Sequence, residues 1–154
     1  SRFNLHDSIR KTAGALEGVA AKKDIHFDLE LSDTEPLWVS GDKDKIQQVL
    51  HNLMDNAVKF SHEGSSILIS TREKGNRVFV SVKDSGIGIP KHDLGKIFER
   101  FYKTDLSRGK DKLGTGLGLS ICKEIITAHK QNLDVVSTEG VGSEFVFTLT
   151  KENE

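Results

Sequence analysis

Residues 42–61 read DKDKIQQVLHNLMDNAVKFS, and at 3.6 residues per turn they predict a helix with two different faces. Ile46, Val49, Leu50, Leu53, Ala57 and Phe60 form one stripe, which must face a core. Asn52, Asn56 and Lys59 follow at i, i+4 and i+7 on a second stripe, with Gln48 one turn earlier. The two stripes are centred roughly 120° apart. Asparagine is a poor helix former, so two of them in line with a lysine ask for a reason beyond the helix itself. They supply oxygen acceptors and a cation. Taken alone, the second stripe reads equally well as a solvated face, and other segments must decide.

The chain has 154 residues and a formal net charge of −1. That length is one domain with a real core. A near-neutral balance gives no support for nucleic acid as a partner. No run approaches membrane-spanning length and no charged-then-apolar leader is visible. The single cysteine, Cys122, sits in an apolar helical pattern, GLSICKEII. It reads as a small buried hydrophobe, and its isolation excludes a disulfide framework and suits a reducing cytoplasm. The six histidines are scattered, with none of the spacings a zinc site needs.

Taken in order, residues 6–22 predict a helix capped by Asn4 or Asp7, with Ile9, Ala13, Leu16, Val19 and Ala20 on its packing side. Residues 25–31, IHFDLEL, alternate as a half-buried strand. A short strand follows over 37–39, and Asp42 is placed to cap the helix of 42–61. Residues 66–71 and 78–82 alternate again, joined by a hairpin turn at Gly75-Asn76. Residues 91–113 show no period and read as a functional loop or lid. A helix over 117–129 and strands over 133–137 and 145–149 complete the chain. About three helices beside hairpin-like strands predict an α+β class, a two-layer sandwich whose mostly antiparallel sheet is covered by helices on one face.

Two glycine segments, DSGIGIP from Asp84 and GTGLGLS from Gly114, ask for a ligand. Neither is a P-loop, which needs G-x-x-x-x-G-K-[ST]. Neither is a dinucleotide fingerprint, because Leu119 and Lys91 stand where the third glycine belongs. GTGLGLS nevertheless brings backbone N–H groups to a helix start, which is an anion site. Asp84, at a strand end before Gly-x-Gly, is a fixed acceptor beside a backbone that a flat ligand can approach.

Order and spacing together resemble the nucleotide-binding boxes of bacterial sensor histidine kinases. NLMDNAVKF is similar to the N box, DSGIGIP to the first glycine box, IFERFYKTD to the F box and GTGLGLSI to the second glycine box. GVGSEFVFTL is similar to the closing strand. The resemblance covers essentially the whole chain as a single catalytic and ATP-binding domain, residues 1–154, and implies the Bergerat fold of gyrase-type and mismatch-repair ATPases.

What the resemblance implies is a site for ATP and Mg²⁺. Asn56 would coordinate the metal and Asn52 would support it or the phosphates. Lys59 would contact phosphate. Asp84 would accept the adenine amino group, Gly88 would give the base room, Phe60 and Ile89 would line its slot, and Gly86 would belong to the same nucleotide-binding set. Phe98 and Phe101 would hold the base of a lid carrying Tyr102, Lys103 and Arg108. Gly114, Thr115, Gly116, Leu117 and Gly118 would meet the phosphates, and Thr148 would add a water-mediated contact to adenine.

The resemblance further implies phosphoryl transfer to a histidine on a dimerisation segment of the same protein that this chain lacks, with a response regulator as indirect partner. His6 lacks the helical hairpin of an acceptor. The isolated domain is expected to be a monomer on the cytoplasmic side of a membrane-anchored parent. The alternative is a stand-alone ATPase or ATP-gated clamp of the same superfamily. Position 52 separates the two: gyrase-type ATPases carry a water-activating Glu there, whereas an amide is no general base. One departure is AHKQN after the last helix, where the family often has Gly-Gly. The turn is then expected at Gln131 or Asn132.

Overall fold

The computed structural model describes residues 1–100 and 118–153. Its strands are β1 (Arg2–Asn4), β2 (His26–Glu30), β3 (Trp38–Ser40), β4 (Ser66–Lys74), β5 (Arg77–Asp84), β6 (Leu133–Thr138) and β7 (Gly142–Lys151). Its α-helices are α1 (Leu5–Ala21), α2 (Lys43–Phe60) and α3 (Gly118–Ala128), with a 3-10 turn at Lys91–Asp93. The strands form one sheet in the order β1-β3-β7-β5-β4-β2, and β6 pairs with β7 alongside β3. All pairings are antiparallel except β2 with β4. The α+β sandwich with a mixed, mostly antiparallel sheet is therefore the fold of the chain.

Local chemistry sets the ends of the elements. Asp42 caps α2, its carboxylate accepting from Lys45 N at 3.2 Å. At α1 the expected side-chain cap is absent. Asn4 holds the cap position, but its Oδ1 accepts from Leu37 N at 3.1 Å and so ties the helix start to the chain entering β3. Asp7 lies inside the first turn and pairs with Arg10. Between β4 and β5, Gly75 takes φ +63° in a two-residue turn with Lys74 opposite Arg77, the geometry a tight hairpin asks of its first central residue.

The turn after α3 differs from the sequence expectation. Lys130, not Gln131 or Asn132, takes the left-handed conformation at φ +59°. Lys130 N donates to Thr127 O at 2.9 Å and Gln131 N to Ile126 O at 3.0 Å. These two bonds are a Schellman end, which fixes the left-handed residue by its distance from the last helical carbonyls, whatever its side chain.

The core lies between helices and sheet. Ile46, Val49, Leu50, Leu53, Met54, Ala57 and Val58 of α2 are all buried, a wider stripe than the period suggests, while Phe60 sits half-buried at its edge. Ile67 and Ile69 of β4, Val78, Val80 and Val82 of β5, and Phe145, Phe147 and Leu149 of β7 face them. Two expectations fail at the margins. Val19 of α1 is 47% exposed, and β2 is more open than its alternation implies, with Leu29 36% exposed. β2 ends the sheet, so its inward side chains have neighbours on one flank only.

Candidate nucleotide site

Asn52, Asn56, Lys59 and Phe60 occupy the last three turns of α2. Asp84 ends β5, and the loop after it runs back under the end of α2. Ile87 N donates to Phe60 O at 3.1 Å. At Gly86 a Cβ would lie 2.0 Å from that same carbonyl oxygen, so no other residue fits without moving the backbone. On its other side the loop is held by the β6–β7 hairpin. Gly140 N donates to Ile87 O at 2.7 Å, and Ile89 N donates to Ser137 Oγ at 2.8 Å. Gly88 takes φ +71°, and a Cβ there would meet Thr138 O at 2.1 Å. The glycines thus allow three backbones to meet within van der Waals contact, and the loop is a rigid shelf.

Asp84 stands at the edge of that shelf and is buried. Its Oδ1 accepts from Gly86 N at 2.9 Å and from Ser143 N at 3.3 Å. Both bonds go to one oxygen, which leaves Oδ2 to accept from a ligand. Burial pushes the carboxyl above the usual carboxylate range, while the Gly86 and Ser143 amides and His62 pull it down.

Asn52 lies where α2 meets α3, with Nδ2 3.5 Å from Gly118 O. Beside it the Cys122 thiol is buried, and burial pushes its pKa up to about 12, so it is an inert packing group. Asn56 is half-buried, and Lys59 pairs with Asp55 at 3.4 Å one turn back. Phe98 packs edge-on against Phe145, with centroids 6.2 Å apart. Phe101, Tyr102, Lys103, Arg108, Gly114, Thr115, Gly116 and Leu117 lie outside the described residues.

Thr148 is not brought to this cluster. Asp84 is opposite Ser143 in the β5–β7 register, and Thr148 is opposite Phe79. Five residues separate Ser143 from Thr148, roughly 16 Å along the strand, and an odd offset puts them on opposite faces of the sheet. The Thr148 hydroxyl is engaged there by Gln131 and Arg77. Ser143 holds the place beside Asp84, and sequence reasoning missed it. The signal was present in GVGS, because Gly142 sits where a Cβ would lie 2.2 Å from Asp84 O.

These residues fit an adenine nucleotide with magnesium. Asp84 offers a buried carboxylate acceptor at the end of β5, and the last turns of α2 carry amide oxygens and a lysine. The sides of Gly86 and Gly88 that lack a Cβ are filled by the backbones at Phe60 and Thr138, so these glycines place the loop instead of making room for a base, contrary to the sequence expectation for Gly88. The family model of the histidine kinase-, DNA gyrase B- and HSP90-like ATPases matches residues 41–153. The chain belongs to that family. Within it, the chain stands with the catalytic domains of sensor histidine kinases. It is 44% identical over 132 residues to the sensor histidine kinase WalK of Bacillus subtilis, and 44% identical over 115 residues to the sensor protein SrrB of Staphylococcus aureus. Those stretches cover 84% and 75% of this chain but 21% and 20% of the relatives, so the chain spans about a fifth of their length. The catalytic domain of the histidine kinase ThkA superposes with a TM-score of 0.84 at 37% identity, covering 98% of this chain and 97% of that one. Full-length ShkA in complex with AMPPNP superposes with a TM-score of 0.85 at 27% identity, over 100% of this chain and 32% of that one.

Proposed function

We propose that this histidine-kinase catalytic domain binds Mg²⁺-ATP and donates the γ-phosphoryl group to a histidine on a dimerisation segment of the same protein. A response regulator is the indirect recipient. The observation that carries the reading is Asp84, a buried carboxylate whose Oδ1 is held by two amides while Oδ2 stays available beside a glycine shelf. An adenine amino group is the donor such an acceptor selects, and the glycine loop fixes where that acceptor stands.

Residue roles follow from position. Asp84 Oδ2 accepts from the base. Ile89, half-buried against the core, and Phe60 supply apolar flanks. Asn56 lies one helical turn before Phe60 and one turn after Asn52, which meets the start of α3, and offers a carbonyl oxygen, the ligand type that magnesium prefers. Magnesium, when bound, would neutralise charge on the phosphate oxygens. Lys59 adds a cation, and Asn52 keeps α2 and the start of α3 in register. With an amide at position 52, that place holds no base to activate water, which favours transfer over hydrolysis. In a solved relative, ThkA stands in complex with the response regulator protein TrrA, and that structure superposes on this chain with a TM-score of 0.81 at 33% identity, over 99% of this chain and 42% of that one. Among the described residues no helix is long and apolar enough to cross a membrane. We place the domain on the cytoplasmic side of a membrane-anchored parent.

The test is calorimetry with a non-hydrolysable ATP analogue, with and without Mg²⁺, on wild-type and Asp84→Asn protein. Magnesium-enhanced binding to the wild type and its loss in a folded Asp84→Asn protein are expected. Equal affinity in the two would overturn the assignment.

A further inference from the structure

α2 ends at Phe60, so the carbonyls of its last four residues find no amide within the helix. Each is satisfied from outside. Ala57 O accepts from Ser61 Oγ at 2.6 Å. Val58 O and Lys59 O accept from Lys23 Nζ at 2.8 and 3.2 Å. Phe60 O accepts from Ile87 N at 3.1 Å. Lys23 Nζ also donates to Ser61 O at 3.0 Å, and Lys23 O accepts from Gly64 N at 3.1 Å. One lysine just past α1 therefore grips the chain on both sides of the end of α2.

We infer that Lys23 is a positioning residue of the nucleotide site, an inference that rests on the function proposed above. Its ammonium fixes the turn of α2 that carries Asn56, Lys59 and Phe60. It thereby fixes the carbonyl on which the Ile87 amide and the shelf beside Asp84 hang. An ammonium suits the place for two reasons. It has three N–H donors for three converging carbonyls, and its charge complements the negative end of the helix dipole. A guanidinium keeps the charge, but its planar fork cannot aim at three oxygens arranged around one point. Lys23 is remote in sequence from every nucleotide box, so nothing in the motif pattern selects it.

Lys23→Met removes the donors and keeps the stem. It is measured well below the unfolding temperature by amide hydrogen exchange and by binding of a fluorescent ATP analogue. Exchange at Ile87 is expected to accelerate about tenfold, with Val80 in the middle of β5 unchanged, and the nucleotide Kd is expected to rise about tenfold. Lys23→Cys alkylated with bromoethylamine restores an ammonium at nearly the same reach, and both readouts should return. Cys122 is buried and escapes the reagent. Lys23→Arg serves if Lys23→Met does not fold, with a smaller change in the same direction expected. Unchanged Ile87 exchange in a folded variant overturns the inference, as does equal acceleration at Ile87 and Val80, which would mean general destabilisation. Wild-type protein that binds no analogue overturns the nucleotide reading instead. Wild-type protein that binds, beside a Lys23→Met protein that binds equally, overturns the role of Lys23 alone.

Discussion

The Ser143 amide donates to Asp84 Oδ1 across the β5–β7 ladder at 3.3 Å. A strand pairing thus orients the carboxylate that we propose meets the base. The long ladder between the two strands brings the closing strand of the domain into the site at its first residues, and Gly142 lets the two backbones come that close.

Binding should depend on pH through Asp84. Burial raises its folded pKa, so protonation favours the empty protein and the carboxylate is costly there. A donor from the ligand favours the charged form. Affinity is therefore present above the folded pKa and lost as pH falls through it, starting above the ordinary carboxylate range. The ratio of wild-type to Asp84→Asn affinity cancels titration of the nucleotide itself. That ratio should decline toward unity on acidification, and a ratio constant with pH would count against a carboxylate contact.

Gly86→Ala should be far worse than Gly75→Ala, although both change a loop glycine. At Gly86 the new methyl meets a backbone oxygen at 2.0 Å, so the Ile87–Phe60 bond must break or the shelf must move. The expected cost is about 2–3 kcal/mol, with loss of nucleotide binding. At Gly75 the space is open and only the left-handed φ is penalised, about 1 kcal/mol, with binding untouched. Denaturant midpoints and analogue titrations on the two proteins make the comparison.

Much of this was legible because α2 carries both its core stripe and its polar stripe in one uninterrupted period, and because Asp84 directly precedes its glycines. The rest depended on pairing. A strand's side chains alternate whatever its neighbours are, so IHFDLEL could announce β2 but not its parallel pairing to β4, nor the exposure of Leu29 that follows from an edge position. Thr148 looked like a ligand residue on the closing strand, but only the register shows that it lies on the opposite face from Ser143. Lys23 acts through main-chain carbonyls, which have no sequence signature at all.

Lys130→Gly should stabilise the domain. Lys130 is exposed and takes φ +59° at the end of α3, a conformation that glycine adopts without the Cβ penalty. The gain expected is about 0.5–1 kcal/mol, read as a higher denaturant midpoint at unchanged slope. A neutral or negative effect would show that the lysine side chain contributes contacts that offset its backbone strain.

Acid should weaken the β4–β7 region through Glu73. Lys151 Nζ lies 2.7 Å from its carboxylate and is the chief cause that lowers its pKa from 4.5 to about 2. A depressed folded pKa contributes stability that is present above the unfolded value and lost as pH falls from 4.5 toward 2. Both side chains are partly exposed, which discounts the contribution to on the order of 1–2 kcal/mol. Glu73→Gln should lose that amount at neutral pH and show a flatter acid limb between those two pH values. Parallel acid limbs in the two proteins would mean that the pair contributes nothing.

Phosphoryl transfer should need a second segment. On the function proposed above, Asn56 and Lys59 serve a metal-bound triphosphate, but an amide at position 52 cannot activate water. His6, the histidine nearest the start of the chain, is fully buried between Glu35 and Thr71, its Nδ1 3.0 Å from one and its Nε2 2.8 Å from the other. Incubated with [γ-³²P]ATP and Mg²⁺, the chain alone is expected neither to label itself nor to release phosphate rapidly. Adding the dimerisation segment of its own parent protein should produce an acid-labile, alkali-stable label on that segment. Transfer should be slow, because a covalent tether supplies an effective concentration of roughly millimolar that a free segment lacks. Asn56→Ala should abolish the label by removing an oxygen from the metal. Asn52→Glu should raise hydrolysis if the carboxylate reaches the attacking water. Acid-labile label on the chain alone, or fast phosphate release without the segment, would mean a self-sufficient enzyme and would displace the kinase-half reading.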